Sequence, residues 1–293
     1  MCIRDSIRGV KKERIKNLTR VEVGAGENWQ GFVRFCLGQG LGHLANLSLI
    51  PGTVGAAPIQ NIGAYGVEVA SYIEAVQTVD RVTGAVDWMP HGDCCFGYRD
   101  SIFRRRPDDF VISRVRFCFP DDPPLNTGYA GIEQELHNMG VVQASAVQVA
   151  EAVCRIRRRK LPDPKSIQNA GSFFKNPQLT RTQFAEHSAL LDGIPNWPVD
   201  TIDPTQAQPI PGVKLSAAAL IEQAVGVDRR VSDQPGVYPW RLQPLVLVHR
   251  GGCDGVDVLR VASEIAAAVH QRFAVTLEIE PRLLGAAILG DSE

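Results

Sequence analysis

A stretch that is rich in glycine and proline yet apolar, IPGTVGAAPIQNIGAYGVEV at 50–69, most constrains how this chain can fold. It is too irregular for a helix and too apolar for a surface loop, because glycine and proline interrupt regular structure. A buried loop must find partners for its backbone N–H groups. A ligand rich in oxygen acceptors would supply them, and glycine permits its close approach. A tight turn between strands explains the stretch equally well, so the pattern alone leaves both interpretations open.

The bulk composition indicates a soluble globular protein with a sizeable core. Among 293 residues, 31 Lys and Arg balance 32 Asp and Glu, for a net charge of -1, and 44% are hydrophobic. At this length, folding buries about 75% of the surface that the unfolded chain exposes. No apolar run is long enough to span a bilayer. Near-neutral charge argues against a nucleic-acid surface, despite basic runs at 104–106 and 155–160. We therefore expect no nucleic-acid or membrane partner.

The cysteines indicate a reducing compartment. Their number, seven, is odd and they contain no C-x-x-C, which suggests neither a disulfide framework nor a zinc ribbon. His91, Asp93, Cys94 and Cys95 lack the spacing that lets four ligands converge, so no metal is expected. The N-terminus has charges but neither the apolar segment nor the cleavage site of a secretory signal. These features predict a cytoplasmic protein.

Hydrophobic periodicity predicts α+β structure in two halves. The first half has predicted strands around 21–23, 75–80, 85–89 and 110–119, and predicted helices at 29–37 and 147–156. Prolines at 162 and 164 end the second of these helices and mark the boundary. The second half has a loop-rich stretch at 177–211, helices at about 215–224 and 257–273, and strands at 243–248 and 276–284.

Three short motifs contain side chains that could do chemistry. Arg99 in GYRDSIF could hold a carboxylate in a fixed fork, although a surface arginine is the simpler interpretation. In TLEIEPRLLG, Glu278 and Glu280 share one strand face, and a carboxyl group facing an apolar cavity could act as an acid. A solvated strand face is again simpler. Ser172 in NAGSFFKNP needs no function if it only completes a glycine turn. Neither G-x-G-x-x-G nor a P-loop lysine is present.

Taken together, the order and spacing of six motifs resemble the UDP-N-acetylenolpyruvoylglucosamine reductase family from about residue 8 to 285. The motifs are IPGTVGAAPIQNIGAYGVEV, GYRDSIF, RRKLPDPK, NAGSFFKNP, VKLSAAALIEQ and TLEIEPRLLG. The resemblance implies an α+β protein with an FAD-binding lobe of the UDP-N-acetylenolpyruvoylglucosamine reductase and vanillyl-alcohol-oxidase-like type and a C-terminal α+β substrate-binding lobe. The implied domains are a truncated or artefactual start at 1–7, the second FAD subdomain at 8–161, the substrate-binding domain at 162–274, and a strand and tail at 275–293 that return to the FAD-binding part.

The activity implied by the resemblance is that of an NADP-dependent flavoprotein oxidoreductase acting on CH–CH donors. In this family, FAD is reduced by NADPH and passes hydride from N5 to C3 of the enolpyruvyl group, which yields UDP-N-acetylmuramate for peptidoglycan. On the matching positions, Ser172 would protonate C2 while Arg99 and Glu280 stabilise the enol. Lys160 or Lys175 could relay the proton to Ser172. A cytoplasmic monomer with a UDP-sugar substrate is implied, and with it a role in cell wall biogenesis, cell shape, the cell cycle and cell division.

The resemblance also implies binding residues. The FAD-contacting positions match Pro51, Gly52, Thr53, Val54, Gly55, Ile59, Gln60, Asn61, Gly63, Ala64 and Tyr65. Positions that contact the substrate or the nicotinamide nucleotide match Tyr129, Lys160, Asn176, Lys214 and Gln243. Tyr129 lies in GYAGI, where relatives have a TYGDL-like loop that closes over the substrate.

One part of the family pattern has no match here, namely the first lobe with its GxGSN-type loop. We therefore expect a truncated reading frame. The alternatives are a catalytically silent sugar-nucleotide-binding module and another FAD-dependent oxidoreductase of the same superfamily.

Overall fold

A computed structural model describes residues 6–122, 125–129, 131–201, 210–227, 236–249 and 251–284 of the chain. The chain divides into two compact units, Met1–Arg159 and Lys160–Glu293. Within the described ranges, no helix combines the length and the apolar character needed to cross a membrane.

The first unit is built on an antiparallel sheet. Its strands are β1 (Val10–Ile15), β2 (Leu18–Gly24), β3 (Gly63–Ala64), β4 (Val67–Glu68), β5 (Ile73–Asp80), β6 (Val86–Pro90) and β7 (Phe110–Pro120). Five of them form one sheet in the order β1-β2-β7-β5-β6, and β3 pairs with β4. Alternate residues of β2 and β7, among them Val21, Val23, Val115, Phe117 and Phe119, are fully buried. This period of two places one sheet face on the core.

The described helices of this unit pack into two buried clusters, one shared with the sheet and one separate from it. The helices are α1 (Trp29–Gly38), α2 (Ile102–Arg105), α3 (Ile132–Asn138) and α4 (Ala146–Lys160). Asn28 caps α1, since its side chain accepts from the Gly31 N–H at 2.9 Å. Trp29 is fully buried, and its Nε1–H donates to the Leu47 carbonyl at 2.9 Å. The apolar faces of α3 and α4 form a second buried cluster in the same unit.

In the part of the second unit that the structure describes, there are two small sheets and three helices. Its strands are β8 (Gln168–Ser172), β9 (Gln178–Thr180), β10 (Asn196–Thr201), β11 (Ile210–Leu215), β12 (Val237–Trp240) and β13 (Gln243–His249). The sheet orders are β10-β11-β9 and β12-β13-β8, all antiparallel. The helices are α5 (Arg181–Glu186), α6 (Ala217–Val225) and α7 (Gly255–Phe273). Leu220, Ile221 and Ile265 of α6 and α7 are fully buried with Leu247 of β13 in one core.

The predicted α+β organisation is confirmed, but two details of the second half are wrong. The stretch at 177–211 contains β9, α5, β10 and the start of β11 rather than only loops. Pro198 fits because β10 is an edge strand, where a missing N–H costs no ladder bond. The strand predicted at 276–284 does not form, since its described residues make only an isolated bridge between Ile279 and Phe174. The apolar and polar residues alternate there because the segment is extended, with Leu277 buried and Glu278 exposed.

Candidate functional site

The glycine-rich stretch folds into a compact loop that satisfies several of its own backbone groups. A 3-10 turn covers Val54–Ala56. The Val54 N–H donates to the Glu27 carbonyl at 2.8 Å, and the Gly55 N–H donates to the Ala25 carbonyl at 2.9 Å. For these two N–H groups, the acceptors come from the turn that follows β2, and no ligand is needed.

The predicted FAD-contacting residues fall into a buried set and a surface-lining set. Val54, Gly55 and Asn61 are buried. Pro51 and Gly52 are exposed, and the others are half-buried: Thr53, Ile59, Gln60, Gly63, Ala64 and Tyr65. Gly52 has φ +113°, and a Cβ built there would meet nothing within 4 Å. The backbone at Gly52 is therefore open to a ligand and adopts a conformation that favours glycine.

The GYRDSIF motif is anchored on this loop. The Arg99 guanidinium donates through Nη2 to the Gly63 carbonyl at 2.7 Å. The buried Ser101 donates through Oγ to the Ile59 carbonyl at 2.6 Å, and Asn61 Nδ2 donates to the Gly97 carbonyl at 3.0 Å. Arg99 is thus held beside the predicted FAD-contacting loop. Sequence reasoning missed Ser101, although its place just before the short helix IFRR is an N-cap signal, and its Oγ does cap α2.

Tyr129 is also brought to the glycine-rich loop. Its ring, 42% exposed, meets Tyr65 edge to face with 5.5 Å between ring centroids. Burial raises the pKa of Tyr65, and the nearby Arg157 on α4 partly opposes this rise. Burial also lowers the pKa of Arg157. Sequence reasoning missed Arg157, whose only signal is its spacing of four residues from the buried Val153 on the same helix face.

In the second unit, Ser172 ends strand β8 at a turn that points it away from the core. Ser172 is exposed, whereas Phe173 and Phe174 are buried edge to face at 5.5 Å. Gly171 has φ +69°. Asn169 shapes the turn, because its Oδ1 accepts from the Gly171 N–H at 3.1 Å and its Nδ2 donates to the Ile167 carbonyl at 3.0 Å.

Glu280 lies beside this turn through backbone contacts. Its N–H donates to the Phe173 carbonyl at 2.9 Å, one residue from Ser172. Lys175 forms an ion pair with Glu278, and its N–H donates to the Glu278 carbonyl at 2.9 Å. The second unit therefore brings Ser172 and Glu280 together, while Arg99 belongs to the first unit. Of the two lysines considered as proton relays, Lys175 is engaged by Glu278.

The remaining predicted binding residues also lie in the second unit, apart from Tyr129. Asn176 supports α6, because its Oδ1 accepts from the Ala217 N–H at 3.0 Å. Lys214 is half-buried in β11. Gln243 begins β13 opposite Trp240, whose Nε1–H donates to the Lys160 carbonyl at 3.0 Å. Trp240 thus links the positions of Lys160 and Gln243. Among the described residues, no group of three or more His, Cys, Asp or Glu side chains could hold a metal ion.

A first prediction concerns the Ser172 turn. Asn169→Ala removes both of its hydrogen bonds, and we expect it to lower the free energy of unfolding by about 2 kcal/mol, since the typical net value of one such bond is about 1 kcal/mol. Asn169→Asp keeps an acceptor for the Gly171 N–H but loses the donor to Ile167, so its loss should be smaller. Urea unfolding of the two variants checks this order. Equal losses would show that the bond to Gly171 does not stabilise the turn.

Comparison with models of protein families first identifies the class of protein to which the chain belongs. Residues 163–284 match the model described as UDP-N-acetylenolpyruvoylglucosamine reductase, C-terminal domain, and residues 6–88 match an FAD-binding domain. An FAD-binding domain followed by this C-terminal domain defines a flavin-dependent reductase, and both matches fall on the units described above.

Individual relatives give the particular family. Two proteins named UDP-N-acetylenolpyruvoylglucosamine reductase, from Xanthomonas euvesicatoria pv. vesicatoria (strain 85-10) and Xanthomonas campestris pv. campestris (strain B100), are each 47% identical over 266 residues, which is 91% of this chain and 73% of theirs. The crystal structure of UDP-N-acetylenolpyruvylglucosamine reductase from Thermus caldophilus has a TM-score of 0.56 at 23% identity, covering 89% of this chain and 71% of that one. The latter is a likeness of fold. The chain belongs to the UDP-N-acetylenolpyruvoylglucosamine reductase family, which confirms the predicted resemblance and fold class.

Proposed function

We propose that this protein uses FAD and NADPH to reduce UDP-N-acetylenolpyruvoylglucosamine to UDP-N-acetylmuramate. The observation that carries the proposal is the 2.7 Å hydrogen bond from Arg99 to Gly63, which holds a carboxylate-binding guanidinium on the predicted FAD-contacting loop. Family membership supports the substrate, and it supports a role in making peptidoglycan precursors. In this proposal the protein is a cytoplasmic monomer whose product serves cell wall biogenesis, cell shape, the cell cycle and cell division.

The residues of the loop fit FAD. The open backbone at Gly52, the half-buried Ile59 and the Gly63–Ala64 strand offer both hydrogen-bonding and apolar surface, the two kinds of surface that a flavin nucleotide needs. Pro51 to Gly55, Ile59 to Asn61 and Gly63 to Tyr65 would hold the cofactor, partly by contact and partly, as for the buried Asn61, by supporting the loop. When bound, FAD would take hydride from NADPH and supply it from N5 to C3 of the enolpyruvyl group.

Three side chains carry the rest of the reaction. Arg99 binds the substrate carboxylate in a fork, and Glu280 in its protonated form donates a hydrogen bond to the same group as negative charge develops there. Ser172 gives a proton to C2, so hydride and proton together saturate the carbon–carbon double bond. The serine oxygen then regains a proton through Lys160, the relay candidate that is not paired with Glu278. A positioned acid of this kind contributes typically about 10² to 10⁴ in rate.

The remaining polar residues hold the sugar nucleotide. Lys214 supplies an ammonium group for phosphate oxygens, and Asn176 and Gln243 supply amide donors. Asn176 would use Nδ2, since its Oδ1 already accepts from Ala217. Tyr129 would close over the bound nucleotide. In this proposal residues 8–161 bind FAD and residues 162–274 bind the substrate. Residues 275–293, which include Glu280, belong with the FAD-binding part.

A second prediction tests FAD binding directly. After incubation with FAD and gel filtration, we expect the chain to retain flavin absorbance, which NADPH bleaches without oxygen and the enolpyruvyl substrate restores. Gly63→Val should weaken FAD retention at least about tenfold, because a Cβ at Gly63 lies 3.0 Å from Arg99 Nη1 and from the Glu68 side chain. Gly92→Val is the matched control, since a Cβ there meets nothing within 4 Å.

Two results would replace the proposal. A colourless chain that still binds a UDP-sugar would be the silent sugar-nucleotide-binding module. A chain whose flavin is bleached by NADPH but not restored by the enolpyruvyl substrate would be another flavin-dependent oxidoreductase of the same superfamily.

A further inference from the structure

The Tyr129 segment, residues 125–129, is tied to the first unit mainly through Asn126. Among the described residues, two hydrogen bonds join this segment to distant parts of the unit. The Asn126 carbonyl accepts from Asn46 Nδ2 at 2.8 Å, and Asn126 Nδ2 donates to the Gly66 carbonyl at 3.2 Å. Beside these bonds, a cavity of about 500 Å³ borders residues 125–128. On that side, hydrogen bonds rather than dense packing fix the position of the segment.

Asn46 provides a firm anchor because its own position is fixed by the core. It is 3% exposed and lies in the 3-10 turn Gly42–Leu47. Leu44 and Leu47 of the same turn are fully buried, and the Leu47 carbonyl accepts from the Trp29 Nε1–H at 2.9 Å. A side chain that starts from such a turn has little freedom to follow a moving partner.

The two amide hydrogens of Asn46 bind two different loops. One donates to the Tyr65 carbonyl and the other to the Asn126 carbonyl, at 2.8 Å each. Tyr65 is one of the predicted FAD-contacting residues, and its ring meets that of Tyr129 edge to face. A single amide group therefore joins the predicted FAD-contacting loop to the Tyr129 segment. An ionised aspartate has the same size but only accepts hydrogen bonds, so it could not replace the amide.

The two loops also approach each other closely at Gly66. This residue has φ +79°, and a Cβ built there would lie 2.9 Å from Asn126 Nδ2 and 3.6 Å from the Tyr129 ring. A side chain at this position would force Asn126 to shift, whereas glycine permits the contact. The Tyr129 segment thus lies directly against the residue that follows Tyr65.

We propose that Asn46 is a positioning residue, which fixes the Tyr129 segment on the FAD-contacting loop and so holds Tyr129 ready for the sugar nucleotide. The part played by Tyr129 rests on the proposed function, whereas the effect of Asn46 on the segment does not. Tyr129 takes no part in the transfer of hydride or proton. A loosened segment therefore weakens substrate binding and spares the chemical step, which raises KM at nearly constant kcat.

Limited proteolysis with chymotrypsin tests the segment without flavin or turnover. The rate of cleavage after Tyr129, followed by mass spectrometry, reports how often the segment opens. One typical hydrogen bond corresponds to about fivefold in such an equilibrium. Asn46→Ala removes two, so we expect cleavage about 30-fold faster than in the unaltered chain. Asn46→Ser keeps one donor and should fall between them. Cleavage after the exposed Leu190 of the second unit is the internal control and should not change.

Kinetics of matched variants connect the segment to the substrate. Asn46→Asp keeps the size of the side chain but removes the amide donors, so it should behave like Asn46→Ala. In the FAD-loaded chain, both should raise KM for the enolpyruvyl substrate by about three- to 30-fold and change kcat less than about twofold. Asn138→Ala is the matched control, since it removes only an exposed bond from Gln134 on α3, at 3.1 Å, and should alter neither.

Several results would overturn the proposal. Unchanged cleavage after Tyr129 in Asn46→Ala would show that the amide does not hold the segment. Unaltered behaviour of Asn46→Asp would assign the effect to packing. If Asn46→Ala fails to fold, Asn46→Ser decides, and cleavage at the original rate refutes the role of the donors. A loss confined to kcat would contradict the role in substrate binding. Faster cleavage in a chain without reductase activity would refute the proposed function and leave the anchoring by Asn46 supported.

Discussion

Replacing Ser172 by alanine should leave flavin reduction by NADPH intact and slow turnover of the enolpyruvyl substrate by about 10² to 10⁴, the usual contribution of a positioned acid. The side chain is exposed at the end of β8, so the change should not disturb the core formed by Phe173 and Phe174. Stopped-flow spectroscopy of the FAD-loaded chain separates the two half-reactions. The loss should appear only in the half-reaction that reoxidises the flavin.

Two further variants make this result specific. Ser172→Cys retains an ionisable proton donor at the same atom position and should recover part of the rate lost in the alanine variant. Ser263→Ala removes an exposed serine of α7 whose Oγ only donates to the Leu259 carbonyl, at 3.0 Å, and should be silent in both half-reactions. Normal turnover by Ser172→Ala would refute the assignment of the proton donor.

Elements with a strong hydrophobic period could be predicted from the sequence, and those without it could not. The strand through Phe117 and Phe119 and the helix through Val149 and Val153 are confirmed because each alternates at the right period between core and solvent. Strand β1 has exposed residues at four successive positions, so it carries no such signal and forms only because β2 offers it a ladder. The extended segment at 276–284 also alternates between apolar and polar residues, but it forms only one isolated β-bridge among the described residues, between Ile279 and Phe174.

The candidate site divides in the same way. The motifs containing Arg99 and Ser172 could be identified from residue types and order. Their supports could not, since the contact from Arg99 to Gly63 spans 36 residues and exists only after folding.

Arg99 is the second position where we expect a substitution to have a large effect on the rate. Two contacts orient its side chain. Its Nη2 donates to the Gly63 carbonyl at 2.7 Å, and its guanidinium lies 5.2 Å from the centroid of the Tyr98 ring. Its backbone has φ 53°, an uncommon conformation for a residue with a side chain. Such a conformation persists only where the surroundings enforce it, and it is frequent at functional sites. The guanidinium therefore holds its position without any bound ligand.

Replacing Arg99 by alanine should lower kcat/KM for the enolpyruvyl substrate by about 10² to 10³, the usual effect of removing one preorganised donor to a developing negative charge. Arg99→Lys should restore little, because an ammonium cannot hold Gly63 and a carboxylate in one planar fork. Arg105→Ala, at the end of α2, is the matched control. It removes an exposed ion pair with Asp100 at 2.9 Å and a hydrogen bond to the Cys95 carbonyl at 2.7 Å, and exposed contacts of this kind contribute little. Steady-state kinetics of the FAD-loaded variants measures kcat/KM for all three. Full activity in the lysine variant would show that a positive charge is sufficient and that the planar fork is not needed.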